Sequence, residues 1–327
     1  MSGHSSSVLF ATICNTVGEA SPYTLWFTDG GRQYVTDLSG HLDDAAGLTG
    51  IAYHNGRLYL AVQSQSSRIL VLDMGLNVVD TITHPEFNDL HSLHVIGDHL
   101  LIVSARAGSL FRRNLTTGET VAHVRFNPNA WVCDVLCTSD DIWLCCHNLR
   151  FLDEAARDGG VFSVRERRTL LDGISGPHSL MRYRDEYVIL DSANARVVFF
   201  TPGGPARTVQ LQGFLRGAVM SGEDTLLIAG GPDRTISRKN PEGDGSRGLR
   251  QVLDERLRIF EVTRGTLAKV ILPECSGFEI YDLFALPAAA GLRPAADRVI
   301  PAELGLFARY YYTSLITAHI RASEAGS

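Results

Sequence analysis

Polar and reactive side chains recur at one equivalent position of a hairpin that repeats along the chain. In five copies this position lies nine residues before the first residue of the hairpin's second strand, and a sixth is found by matching IYDLF to CDVLC. Packing alone would place apolar residues there, so the set indicates a functional site. The alternative is a polar, water-filled channel without catalysis. The six positions are Thr49, His91, Cys133, His178, Arg216 and Tyr281.

Two kinds of chemistry fit these residue types. Imidazole and thiolate groups from His91, Cys133 and His178 form a ligand set for zinc or another divalent transition metal, with one position left open. Without a metal, the histidines would act as general acid and base, Arg216 would bind an anionic group, and Tyr281 would donate a proton. We therefore assign catalysis to His91, His178, Arg216 and Tyr281, and metal binding to His91, Cys133 and His178.

Further residues are expected around this ring. Side chains alternate along a strand, so residues two positions before the ring would form a second tier on the same face. Residues at the ends of the second strands would lie near the rim, where His147, Asn148, Asp191 and Ser192 are weaker candidates. Cys137, Cys145 and Cys146 are interpreted as buried thiols and not as a zinc site. The predicted substrate contacts are Thr49, Asp89, Trp131, Arg106, Asn194 and Glu279.

The repeat that positions these residues is a pair of apolar strands around a tight polar turn. Two more strand-like segments follow each hairpin, which gives four strands per repeat and predicts an all-β, six-bladed β-propeller. A sixth inner strand, GFEIYDLFALP, has no hairpin partner after it, so the N-terminal segments VLFATI, YTLWFTDGG and RQYVTDL are expected to complete its blade. The hairpins read GLTGIAYHNGRLYLAV, DLHSLHVIGDHLLIVS, WVCDVLCTSDDIWLCC, GPHSLMRYRDEYVILD and FLRGAVMSGEDTLLIA.

Residues 1–287 are assigned to the propeller and residues 288–327 to a C-terminal linker and helix packed on it. Pro301 could occupy the first position of that helix. Its FARYYY segment at 307–312 would be buried on the propeller, or would mediate homo-oligomerisation. Because the first strand of each blade lines the central channel, the ring is expected at one mouth. The 232–250 loop would lie over this mouth as a lid, and residues 149–160 would form a shorter loop there.

Composition narrows the class of protein. The 327-residue chain carries a formal net charge of −6 and has no dense Lys/Arg stripe, which argues against nucleic acid as a partner. It contains no run of 18 apolar residues and starts without a basic and apolar leader, so no membrane association and a cytoplasmic location are expected. The six cysteines show no disulfide-scaffold spacing.

With PHSL at 177–180 and DLHSLH at 89–94, the chain resembles the six-bladed propellers of the NHL and strictosidine-synthase/gluconolactonase type. It is more similar still to an uncharacterised bacterial propeller family, over about residues 45–285. Gluconolactonase-like members hold calcium on Glu, Asn and Asp, of which only Glu279 has a counterpart here. Amidating lyases of the NHL fold hold zinc on histidines beside Tyr and Arg. His91, His178, Arg216 and Tyr281 match these in kind, with Cys133 in place of a third histidine.

The sequence predicts an enzyme that acts on a small polar or anionic metabolite, through metal-assisted or acid/base lyase, hydrolase or isomerase chemistry in a biosynthetic pathway. The implied cofactor is one divalent transition metal, zinc or similar. The competing hypothesis is a non-catalytic scaffold that binds a protein or glycan through the same face, since a fold does not fix a function.

Overall fold

The structure is a computed structural model that describes residues 8–14, 24–29, 31–42, 45–64, 66–231, 257–273, 279–296 and 298–302. Within these ranges the chain is all-β, and its only helical turns are short 3₁₀ segments and a single helical residue at Ala302. No helix among the described residues is long and apolar enough to cross a membrane.

Most of the strands form four-stranded antiparallel sheets in chain order. In one sheet the hairpin of β4 (Ala45–His54) and β5 (Arg57–Ser64) is followed by β6 (Arg68–Leu72) and β7 (Val78–Ile82). The next sheet comprises β8 (Leu90–Ile96), β9 (His99–Ser104), β10 (Ser109–Asn114) and β11 (Thr120–Arg125). A third comprises β12 (Val132–Cys137), β13 (Ile142–Cys146), β14 (Gly159–Ser163) and β15 (Arg168–Ile174). The remaining two comprise β16 (Pro177–Tyr183), β17 (Glu186–Asp191), β18 (Arg196–Phe200) and β19 (Arg207–Gln210), then β20 (Phe214–Met220), β21 (Thr225–Gly231), β22 (Arg258–Thr263) and β23 (Thr266–Ile271).

The two ends of the chain share one further group of strands. The late strand β24 (Glu279–Leu286) pairs antiparallel with β1 (Val8–Cys14), which also pairs with β2 (Leu25–Asp29) and, through it, with β3 (Arg32–Thr36). A single residue pair, Cys14 with Gly47, joins this group to the β4–β7 sheet. The predicted pairing of N-terminal strands with the last inner strand is therefore observed.

The first strands of the sheets, together with β24, are called the inner strands. Each contacts the next in the cyclic order β4, β8, β12, β16, β20, β24 and back to β4. Apolar clusters fill the spaces between neighbouring sheets, as in the cluster that packs Ala61 and Ile69 against Leu100 and Phe111. Face-to-face packing of this kind buries both faces of each sheet and explains the near-continuous apolar runs of the second strands.

Most of the expected C-terminal helix lies outside the described residues, and the residues described just before it form a short strand. Pro301 does not start a helix but ends a short strand, β25 (Val299–Pro301), which pairs with β3. Val299 and Ile300 are β-branched and suit an edge strand, where a proline without an N–H group is tolerated. Residues 303–327, which include FARYYY, lie outside the described residues, as does the predicted lid at 232–250. The shorter loop folds into a 3₁₀ turn at Leu149–Phe151 and ends where β14 begins.

Candidate functional site

A β-bulge interrupts the pairing of every inner strand at an equivalent place. An extra residue in a bulge breaks the alternation of side chains and changes the direction in which they point. Bulges are therefore common beside functional sites. The six ring positions lie within or beside these interruptions. In five inner strands the register of pairing shifts between Leu48 and Ile51, Leu90 and Leu93, Val132 and Asp134, His178 and Met181, and Leu215 and Ala218. In β24 it shifts at Tyr281, opposite Thr12 and Ile13 of β1.

The second tier predicted above the ring does not follow simple alternation. Asp89 and Trp131 adopt left-handed backbone conformations, with φ of 56° and 51°. A residue in this conformation turns the chain, so the side chains before and after it do not alternate between the same two faces of the sheet. Both still lie near the ring: Asp89 Oδ2 is 3.6 Å from His91 Nε2, and the Trp131 ring meets the His91 ring edge-on at 6.5 Å.

The ring side chains pack against one another and fill their level of the channel. The hydroxyl of Tyr281 lies 2.5 Å from His91 Nδ1, and the Arg216 guanidinium stacks 4.0 Å from the centre of the Tyr281 ring. All three side chains are buried. The ring therefore does not surround an open mouth, because its large groups close the channel at this level. Burial raises the pKa of Tyr281 well above its usual value, so the phenol keeps its proton.

Arg216 is paired within the protein. Its Nε lies 3.4 Å from Glu279 Oε2, and both side chains are buried. Burial lowers the pKa of Arg216, but the Glu279 carboxylate outweighs this and raises it above the usual value. Arg216 thus faces Glu279 and Tyr281 and lies outside the lining of the pocket described below, and its predicted role as a clamp for an anionic ligand stays a prediction.

Three more of the predicted substrate contacts interact with other residues of the protein. Thr49 donates its hydroxyl to the Leu90 carbonyl at 2.8 Å. Arg106, largely exposed, lies 3.5 Å from Asp89 and 5.8 Å from the centre of the Trp131 ring. Asn194 donates to the carboxylate of Asp191 at 3.0 Å. None of these residues lines the pocket described next, which lies beyond the ring toward the other ends of the inner strands.

This channel pocket has a volume of about 390 Å³. Its floor is formed by His91, Cys133, His178 and Tyr281 of the ring. Exposure increases from this floor toward the hairpin turns, so the pocket opens there. Apolar walls with a few polar groups at depth are typical of small-molecule sites. The walls are Ile51, Ala52, Tyr53, Leu93, Val95, Leu136, Leu180, Met181, Ala218, Val219, Met220, Leu283 and Phe284.

Just above the floor, the residue that follows each ring position is small or acidic. Two of these residues, Gly50 and Gly217, allow neighbouring inner strands to approach: a Cβ atom on Gly217 would lie 2.5 Å from the Cα atom of Asp282. At these two positions the close approach of the strands leaves no room for a side chain. The full set is Gly50, Ser92, Asp134, Ser179, Gly217 and Asp282.

The two acidic members, Asp134 and Asp282, have matching hydrogen bonds. Each accepts the N–H of its own following residue, and each accepts an N–H freed by the bulge of the next inner strand: Leu180 for Asp134 at 2.8 Å, and Ile51 for Asp282 at 3.3 Å. Their strands, β12 and β24, are three apart in the cyclic order, so the carboxyl groups face each other across the channel. His94 Nε2 lies 2.6 Å from Asp134 Oδ1.

The pKa values of Asp282 and His94 are both shifted by their surroundings. Burial and the Asp134 carboxylate raise the pKa of Asp282 to about 7, against the smaller opposing effects of His94 and two backbone N–H groups. Burial lowers the pKa of His94, but the adjacent Asp134 outweighs it and raises the pKa. The side chain of His94 remains about 38% exposed and reaches the pocket. The pocket therefore holds a histidine that favours its charged form opposite a carboxyl group that titrates near neutral pH.

The predicted metal ligands are grouped differently in the structure. Cys133 and His178 come together with His147, their donor atoms all within 4.8 Å of one another. His91 is engaged by Tyr281 and Asp89 instead, on another side of the channel. The other thiols follow the expectation in part, because Cys145 and Cys146 are buried and unoxidised whereas Cys137 is half-exposed.

Sequence reasoning did not single out His94, Asp134 and Asp282. It assumed unbroken alternation, under which residues one and three positions after the ring would face the sheets. The signal was nevertheless present in the repeat, since two of its copies carry aspartate where the others carry glycine or serine.

No family model matches this chain, and no curated protein does. Solved structures do resemble it. A chain of the nidogen–laminin complex superposes with a TM-score of 0.53 at 9% identity, over 85% of this chain and 97% of that one. A protein of unknown function from Bacteroides caccae gives 0.56 at 11% identity, over 85% and 98%. An inactive variant of virginiamycin B lyase from Staphylococcus aureus gives 0.46 at 13%, over 70% of each chain. The likeness to the first two chains shows a shared β-propeller fold.

Proposed function

We propose that this protein is an enzyme that transfers protons on a small molecule bound in the channel pocket, with His94 as the acid and Asp282 as the base. The observation that carries the proposal is the convergence of an Asp134-supported imidazole and an opposing carboxyl group on one apolar pocket of about 390 Å³. Pairs of titratable groups whose surroundings separate their protonation states are typical of acid/base catalysis.

Each residue has a defined task in this reaction. The Asp282 carboxylate accepts a proton from a C–H group beside a carbonyl, which leaves the electron pair on the substrate. His94, held and charged by Asp134, donates a proton to the oxygen or leaving group that gains the negative charge. Return of the protons regenerates both groups after an isomerisation, or exchange with water does so after an elimination. Lyase and isomerase chemistry follow directly, and hydrolysis follows if Asp282 activates a water molecule instead.

The pocket also favours a class of substrate. Two carboxyl groups line it, and the guanidinium of Arg216 is held by Glu279 outside its lining. A molecule with an apolar body and a neutral or cationic polar end would therefore bind better than the anionic metabolite expected from the sequence.

We further infer that the propeller has six blades. The inner strands contact one another in a closed cycle of six, and apolar clusters lie between successive sheets all the way around it. The shared strand pairing of β1 and β24 would then complete the last blade.

The proposal is tested by incubating the purified full chain with a mixture of small metabolites in D₂O and recording by mass spectrometry which compounds are consumed or deuterated. We expect the wild type to act on at least one compound with an apolar body. Asp282→Asn and His94→Gln should each slow this reaction by roughly 10²–10⁴-fold, the usual contribution of a general acid or base.

Exposed Asp80→Asn and His123→Gln are the matched controls and should keep the wild-type rate. If the wild type alters no compound, or if both pocket variants turn over the same compound at the wild-type rate, the enzyme proposal fails. The first of these outcomes would favour the scaffold hypothesis, in which the protein binds a partner without consuming it.

A further inference from the structure

A cluster of three possible metal ligands lies where the inner strands β12 and β16 meet. Cys133 is in the bulge of β12, His178 is at the bulge of β16, and His147 directly follows β13. Their donor atoms lie within 4.8 Å of one another, and the two imidazole rings meet edge-on with centres 5.1 Å apart. Three separate strands thus bring one thiol and two imidazoles to a single point.

Neighbouring groups orient His178 for binding through its second nitrogen. Its Nδ1 lies 3.0 Å from the Gly176 carbonyl and 2.9 Å from the Ser192 hydroxyl. A carbonyl only accepts, so Nδ1 carries the proton and the lone pair of the neutral ring resides on Nε2. Metal-binding histidines in proteins are usually held in this way, with one nitrogen donating to an oxygen while the other binds the metal.

Cys133 is the cysteine of this cluster, and its side chain is buried. Its thiol donates to the Pro177 carbonyl at 2.8 Å, directly before His178 in the chain. The Cys145 sulfur lies 3.4 Å from the Cys133 sulfur but outside this group of donor atoms.

We infer that Cys133, His147 and His178 form a binding site for one zinc ion. Sulfur and two imidazole nitrogens are the donors that Zn²⁺ prefers, whereas calcium and magnesium require oxygen. In a tetrahedral site the donors lie about 3.5 Å apart, so donor atoms that are at most 4.8 Å apart need to approach by no more than about 1.3 Å. Binding replaces the thiol proton of Cys133 with the metal, and that proton is released to solvent.

Such a site would add a Lewis acid to the wall of the pocket, because Cys133 and His178 also line it. Three protein ligands leave the fourth position of a tetrahedral ion open, as in catalytic and not structural zinc sites. The site does not depend on proton transfer by Asp282 and His94, so either proposal can fail while the other stands.

The test is a titration of the chelator-treated full chain with Co²⁺, which reports its ligands by absorption. We expect one equivalent to produce a thiolate-to-cobalt charge-transfer band and intense visible bands of a tetrahedral ion, both removed by adding Zn²⁺. Cys133→Ser should abolish the charge-transfer band. His147→Gln and His178→Gln should weaken cobalt binding by more than the roughly 10–100-fold that loss of an outer-shell partner costs, and Ser192→Ala should fall within that range.

Cys137→Ser and His99→Ala, remote from the cluster, are the controls and should bind as the wild type does. Circular dichroism establishes that each variant is folded, and half-exposed His147 can be replaced with little effect on the core. The inference is overturned if the wild type shows no charge-transfer band, or if the band persists unchanged in Cys133→Ser or in His147→Gln. Asp282→Asn should keep the full cobalt spectrum, which separates this site from the acid/base pair.

Discussion

Asp134 and Asp282 show how one added neighbour separates two otherwise equivalent residues. Both accept the N–H of the next residue and a bulge N–H of the next inner strand, but only Asp134 has a histidine at hydrogen-bond distance. Asp282 faces Asp134 and His94 across the channel. Gly217 of β20, which lies beside Asp282, has no side chain. The backbone N–H of Asp282 donates to the Thr12 hydroxyl of β1. Burial, followed by the Asp134 carboxylate, raises the pKa of Asp282 to about 7.

This difference predicts a pH-dependent stability. The pKa of Asp282 is about 7 in the folded protein and about 3.9 when unfolded, so the folded state binds the proton more tightly. Its contribution is full below about pH 4 and is lost as the pH rises through 7. Relative to Asp282→Asn, the free energy of unfolding of the wild type should fall by roughly 1.4 kcal/mol per pH unit between about pH 5 and 7. Urea unfolding of both proteins would refute this if their difference stays constant.

Arg216 and Glu279, both predicted to contact a ligand, form a buried ion pair with each other. Arg216 Nε lies 3.4 Å from Glu279 Oε2, and neither side chain lines the pocket. Arg216→Met should destabilise the fold by about 3–5 kcal/mol, because the Glu279 carboxylate loses its guanidinium. The double variant with Glu279→Gln should recover most of that loss. A double variant as unstable as the sum of the single changes would show that the pair is not coupled.

At the scale of the strand, the bulges decide which side chains face the channel. The hairpins, their turns and the equivalence of the ring positions could be predicted, because they depend on local patterns of apolar residues and turn formers. The pocket could not be predicted, because each bulge interrupts the alternation of side chains and no local residue type indicates where a bulge lies. His94 and Asp282 were missed for this reason, and the predicted substrate contacts Arg106 and Asn194 do not line this pocket.

The same strand geometry makes one glycine critical. A Cβ on Gly217 would lie 2.5–2.7 Å from backbone atoms of Asp282 and Leu283, which cannot move without parting β20 from β24. Gly217→Ala should cost about 1–3 kcal/mol in urea unfolding and should also impair any reaction that uses Asp282. Gly40→Asn is the control, because nothing lies within 4 Å of its Cβ position and asparagine tolerates its φ of 76°. Equal stability of the two variants would contradict the close approach.

At the scale of the molecule, two strand pairs join the N-terminal strands to the late strands of the described chain, β1 with β24 and β3 with β25. Phe10 of β1 lies opposite Phe284 of β24 and Phe27 of β2, and it is completely buried. The sequence predicted this joining because the sixth inner strand lacked a hairpin partner. The edge strand β25 could not be predicted, since three residues beside a proline give no periodic signal.

Closure by β1 should make the fold depend on its N-terminal strand. Phe10→Ala should lower the free energy of unfolding by about 3–5 kcal/mol while leaving a single cooperative transition. Val79→Ala, on the exposed face of β7, should change it by no more than about 0.5 kcal/mol. Two separate transitions in the Phe10 variant would show that the ring does not unfold as one unit.

The central claim is that the channel pocket holds a carboxyl group poised to exchange protons near neutral pH. Carboxyl-carbon NMR on protein labelled at aspartate, with the signal assigned through Asp282→Asn, measures this directly. The account predicts a titration midpoint for Asp282 of about 7. A midpoint near the ordinary value of about 3.9 would contradict it.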